Sequence, residues 1–148
     1  MPQEVQGNEA IAKVQYMVAC ENVTFDVSQN ITLSGVFDNL NAAGFPTMTQ
    51  SVYIVFGLTE MRPGTYRGKI TIKHAIAEDV VVAQPLNDVV VAAPYKGARV
   101  ILRLNQIVWV KAGEYSVGLS LEDKLVAEFS LTLNEIKAPG STESVKAQ

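Results

Sequence analysis

Histidine and cysteine are nearly missing from this chain of 148 residues, which has one of each, His74 and Cys20. A single cysteine excludes an intramolecular disulfide, as expected of a reducing compartment or an intracellular assembly. One histidine and one cysteine exclude the usual zinc sets. Strong charge is missing too. A net charge of −3 supplies no positive field for phosphates, so no nucleic-acid partner is expected. The longest apolar run near the N-terminus, residues 14–20, is too short to span a bilayer, so no membrane partner is expected either. No basic segment followed by an apolar core precedes it, so no secretion signal is read. The expected location is cytoplasmic, or within an intracellularly assembled particle. Also lacking are a phosphate-cradling glycine loop and any dozen-residue window with helical periodicity.

What is present is a period of two. Val117, Leu119 and Leu121 alternate with Ser116, Gly118 and Ser120. After the polar turn Glu122-Asp123-Lys124 the pattern resumes at Leu125, Ala127, Phe129, Leu131 and Leu133. That is a hairpin with one buried face. Val52, Ile54, Phe56 and Leu58 alternate, as do Ile70 and Ile72, and Val100, Leu102 and Leu104. Val14, Tyr16, Val18 and Cys20 share a face of another strand, and residues 31–37 read as a further one. Two valine strings, at 79–83 and 88–92, are separated by a turn at Pro85 and Asn87-Asp88. About nine short strands imply an all-β sandwich or barrel. Residues 10–137 are read as one domain, with an N-terminal arm at 1–9 and a C-terminal tail at 138–148. A hydrophobic share of 48% is globular, and a chain this long buries roughly 70% of its unfolded surface, so no staple is required.

One phrase occurs twice. Residues 111–123, KAGEYSVGLSLED, echo residues 62–74, RPGTYRGKITIKH. Each reads basic, any, Gly, any, Tyr, then an alternating strand. Gly113 and Tyr115, and likewise Gly64 and Tyr66, are the candidate structural corners. Gly-x-Tyr entering a strand resembles the start of strand F in immunoglobulin-like and fibronectin-like sandwiches. The resemblance implies strand E at 99–105, F at 115–121 and G at 125–133, and an antiparallel immunoglobulin-like β-sandwich of about 7–9 strands. Val117 stands where an antibody domain has its cysteine. The first phrase is expected to start a strand at the same end of the sandwich. Residues 13–136 also resemble a family of small bacterial β-sandwich proteins of unknown function, through YMVACENVTFD, ITLSGVFDNL with GFPT, VFGLT and AGEYSVGL. That resemblance implies a fold and carries over no catalytic residue.

Chemistry is sparse. A nucleophile needs a base beside it, and His74 has no partner in any motif, so no catalytic residue and no enzyme activity are expected. Asp38, Asn39 and Asn41 lack the order of a calcium loop, and no metal or cofactor is expected. The partner-binding candidates are a basic stripe of Arg67, Lys69 and Lys73, a second pair of Arg99 and Arg103, and Phe45 before Pro46. Basic strand faces contact acidic partners or block edge-to-edge aggregation. The expected function is a non-enzymatic structural or protein-interaction module. It fits a subunit or decoration of a larger assembly such as a virion, with other protein subunits as partners. The alternative is a small-molecule or carbohydrate-binding sandwich using end loops, with Tyr53, Tyr95 and Trp109 as its aromatics.

Overall fold

The computed structural model describes residues 10–136, and the arms expected at 1–9 and 138–148 lie outside them. In chain order the strands are β1 (Lys13–Cys20), β2 (Asn22–Phe25), β3 (Ile31–Ser34), β4 (Asn39–Ala42), β5 (Thr47–Thr59), β6 (Gly64–Tyr66), β7 (Gly68–His74), β8 (Val80–Pro85), β9 (Val89–Val91), β10 (Ala98–Trp109), β11 (Gly113–Leu121) and β12 (Lys124–Glu135). Three form one sheet in the order β10-β5-β1, and five form the other in the order β4-β12-β11-β7-β8. The remaining four make two small ribbons, β2 with β3 and β6 with β9. The domain is all-β and immunoglobulin-like: β10, β11 and β12 are the strands expected as E, F and G. The eight strands of the two main sheets fall within the expected number, and the ribbons raise the total among the described residues to twelve. One pair departs from the antiparallel rule, because β4 runs parallel to β12.

The core lies between the two sheets. Ile54 and Phe56 of β5 meet Ile70 and Ile72 of β7 and Val117 and Leu119 of β11, all fully buried. Phe56 and Phe129 touch edge to face across the interior with centroids 5.8 Å apart. Each fully buried aliphatic or phenyl side chain stabilises the fold by about 1.5–3 kcal/mol, so the alternating rows account for why these segments are strands.

Three expectations are corrected. Leu125 is exposed, because a register shift at Leu119/Ser120 against β12 turns it outward. A bulge is enough to reverse an alternating face. In β1 the inward residues are Val14, Met17 and Ala19, because a second shift between Val14 and Tyr16 splits the row seen in the sequence. Tyr16, Val18 and Cys20 lie on the outer face, where the Tyr16 ring covers Gly57 so closely that a Cβ there would overlap it. Cys20 and Val55 are nonetheless fully buried. The β2–β3 ribbon folds back over this face and is tied down at its turn, where Arg99 donates to the Gln29 carbonyl (3.1 Å). Burial pushes the Cys20 thiol pKa up.

The third correction concerns the doubled phrase. β7 and β11 are antiparallel neighbours, with Tyr115 opposite His74 and Leu121 opposite Gly68. Their starts therefore lie at opposite ends of the sandwich. Each forms a tyrosine corner. Tyr115 Oη donates to the Lys111 carbonyl at 2.6 Å, and Tyr66 Oη donates to the Arg62 carbonyl at 2.6 Å. Both bonds run four residues back, and both corners pass through a glycine at positive φ, 126° at Gly113 and 156° at Gly64. The chain uses one local solution twice, once to clasp each end.

The corner at Tyr66 is locked to the β11–β12 turn. Glu122 and Asp123 occupy that turn at φ 52° and 66°. The Arg67 amide donates to Glu122 Oε2 (2.6 Å), the Glu122 amide donates to the Arg67 carbonyl (2.9 Å), and the Arg67 guanidinium lies 3.4 Å from Glu122 and 3.7 Å from Asp123. The Arg67 amide, with the guanidinium beside it, lowers the Glu122 pKa. A carboxyl whose pKa is depressed on folding stabilises the native state above its unfolded pKa, and that contribution is lost as pH falls through the folded value. Glu122→Gln should therefore show a flatter loss of stability than the parent on acidification, and the Glu122 carboxyl should titrate below ordinary glutamates by NMR. Superimposable acid melts of parent and variant would refute the clasp.

Candidate functional site

The sequence-selected side chains do not assemble into one site. Arg67 is engaged by Glu122 and Asp123. Lys69 and Lys73 lie on the outer face of the five-stranded sheet, opposite Ser120 and Ser116 of β11. Arg99 and Arg103 lie on the outer face of the other sheet, on the far side of the sandwich. Phe45 is partly buried and packs against the core instead of standing out as an anchor. The aromatics of the sugar-binding alternative are also separated. Trp109 is fully buried, donating to Thr49 Oγ1 (3.1 Å), Tyr53 lies beneath the Arg103 guanidinium (5.9 Å), and Tyr95 is exposed.

His74 is buried at the Tyr115 corner. Its Nδ1 accepts from the amides of Ile76 (3.2 Å) and Ala77 (3.0 Å), and its Nε2 bonds the Ala112 carbonyl (3.0 Å). Both ring nitrogens are thus committed to backbone, in the tautomer with the proton on Nε2, and neither is free to act as a base. Asp38, Asn39 and Asn41 are likewise used locally: Asn134 Nδ2 donates to the side-chain oxygens of Asn39 (3.2 Å) and Asn41 (3.1 Å), and Asn39 donates to Asp38 (2.7 Å). Among the described residues no three His, Cys, Asp or Glu side chains gather as a metal site, and no helix is long and apolar enough to cross a membrane.

The feature that stands out is an asymmetry between the two long sides of the sandwich. One side is closed. Phe37 bridges to Ala19 of β1, and two residues later the same segment joins β12 as β4, pairing Asn39 with Thr132. Among the described residues the other side is open. There β10 is the edge of the three-stranded sheet and β8 the edge of the five-stranded one. An immunoglobulin constant-type sandwich has four strands, A, B, E and D, in the sheet that here holds only three. The chain between β8 and β10 does not fill that place, because β9 pairs with β6. Two adjoining grooves of about 400 and 440 Å³ run along β10, the first under residues 84–90 and the second against residues 81–84.

Local sequence explains the groove. Val81 and Val82 both pack toward the core, because the β7–β8 register shifts between Ile72 and Lys73. Leu102, half-buried, lies opposite them and lines both grooves. At Gln106 (φ 58°) the inward side of β10 switches from even to odd residues, so Ile107 and Trp109 are buried. Val108 turns outward beside its β5 partner Met48, and these two are 49% and 47% exposed, with Val110 next to them at 42%. These exposed apolar residues lie at the far end of β10, on its outer face. The sequence carries no sign of the open edge, since the valine string at 88–92 reads as a strand that could have covered β10.

A family model described as "Family of unknown function (DUF6941)" matches residues 15–134. The chain belongs to this family. The matched region, residues 15–134, holds the whole of both edge strands. No curated protein matches the chain. Similar solved structures include a Pseudomonas fluorescens alkylpurine DNA glycosylase bound to DNA (12% identity, 84% of this chain and 31% of that one, TM-score 0.47). Others are a Listeria innocua beta-glucosidase (9%, 86% and 17%, TM-score 0.44) and an immunoglobulin-like protein from Pseudomonas aeruginosa (15%, 85% and 100%, TM-score 0.40). The DUF6941 chain thus spans less than a third of the length of the two enzymes.

Proposed function

We propose that this DUF6941 domain is a non-enzymatic protein-interaction module, a component of a larger assembly, which takes up an extended segment of a partner along the free edge of β10. One observation carries the reading: the position of a fourth strand beside β10 is unfilled by the described residues, while a groove lined by both apolar side chains (Val81, Val82, Leu102) and polar ones (Gln84, Asn105, Gln106) runs beside it. An added strand would pair with the edge backbone for affinity and place alternate side chains in the groove for specificity. The exposed Met48, Val108 and Val110 at the end of the edge support the same use, since contiguous apolar surface marks interaction sites.

Affinity capture from the native source tests this with two chains. The parent should retain a partner, and Leu102→Lys, which puts a charge into the groove, should reduce its recovery tenfold or more. In the captured complex the β10 amides should gain protection from hydrogen exchange. Val108→Lys, on the exposed rim, serves the same purpose if Leu102→Lys folds poorly. A partner retained equally by both variants, or protection confined to other strands, overturns the proposal.

A further inference from the structure

Resting on the reading of β10 as a docking edge, we infer that the strand it accepts is acidic: apolar residues alternate with carboxylates, and one carboxylate pairs with Arg103. In the half of the groove bounded by β8, Arg103 is the only charged side chain in the lining. Its Nε donates to Ser51 Oγ (3.1 Å) and its guanidinium lies over Tyr53, both on β5, so it is held on the outer face toward the paired side of β10, and a carboxylate on an added strand would reach it across β10. Among the described residues no carboxylate pairs with it. Arg99, two positions along the same face from Ile101, is already tied to the Gln29 carbonyl and shares the groove lining with Asp88, so Arg103 alone carries the charge argument. A strand added beside β10 would put its inward residues next to Leu102 and Leu104, over Val81 and Val82, and its outward residues next to Ile101 and Arg103. Cross-strand neighbours of opposite charge stabilise a sheet, and like charges oppose it. The same rule disfavours a second copy in the antiparallel registers centred on Ile101 or Arg103, which set guanidinium against guanidinium.

The probes are two acetylated, amidated nonapeptides: alternating valine and glutamate, and the same with lysine for every glutamate. The chain carries a net charge of −3, so undirected electrostatics favour the lysine peptide. We expect the glutamate peptide to bind at least tenfold more tightly by fluorescence anisotropy, with protection of the β10 amides, and Arg103→Glu to reverse the order. Equal binding of both peptides, abolished by Leu102→Lys, overturns the acidic preference and leaves the docking edge standing. Absence of binding by either peptide, with β10 amides unprotected, overturns both. A β10-mediated dimer that the glutamate peptide does not dissociate assigns the groove to a second copy and overturns the inference alone.

Discussion

Tyr115→Ala is expected to destabilise the domain by about 3–5 kcal/mol, as large-to-small changes of buried aromatics do. The side chain is fully buried, with its ring edge to face with both His74 and Trp109 at 5.0 Å. Its hydroxyl donates to the Lys111 carbonyl and accepts from the Lys111 amide at 3.3 Å. Removing the ring leaves a cavity among groups pinned by their own hydrogen bonds, so little collapse can relieve it. Tyr115→Phe keeps the ring and loses only the hydroxyl contacts, for about 0.5–1.5 kcal/mol. The matching Tyr66→Phe should cost less than Tyr115→Phe, because Tyr66 bonds Arg62 in an exposed setting where water can replace the lost partner. Urea melts of the three variants give the order. Equal, negligible losses for both Tyr115 variants would remove the corner from the account of this fold.

Gly113→Ala is the second large effect expected, about 2–5 kcal/mol, from a backbone conformation that L residues rarely adopt and from overpacking. The φ of 126° is one part. The other is space: a Cβ at Gly113 would sit 2.6 Å from His74 Nε2. That ring cannot swing aside without breaking its bonds to Ala112, Ile76 and Ala77. The two parts are separable by a double-mutant cycle. In a His74→Ala background the added cost of Gly113→Ala should shrink to the backbone part, about 1–3 kcal/mol. An unchanged increment would show that the imidazole does not enforce the glycine, and that backbone conformation alone does.

The candidate site was legible only in pieces. Arg99 and Arg103 were visible as a basic pair on one strand face, but nothing local tells which edge of that strand is unpaired. The basic stripe on residues 67–73 dissolved for a similar reason. Arg67 lies beyond the start of β7 and meets Glu122, 55 residues away, a partner that no window of sequence contains. His74 looked like a strand-end residue, and the structure gives it the work of holding a turn and filling the Tyr115 corner.

The sequence by itself determined the fold class, the core rows of β5, β7, β10 and β11, and the corner residues. Each depends on period two or on a motif a few residues long, and those are properties of a local stretch. Tertiary structure alone decided which apolar row of β1 faces inward, since the outer row of Tyr16, Val18 and Cys20 is equally apolar under the β2–β3 ribbon. It decided that Leu125 turns outward, because a register shift of one residue reverses a face without changing composition. It placed the two Gly-x-Tyr corners at opposite ends, which follows from strand direction and not from the phrase. Finally, among the described residues it left one side of the sandwich open, because pairing is a relation between distant strands: β9 pairs with β6, β4 closes the far side, and none of the described strands takes the outer edge of β10.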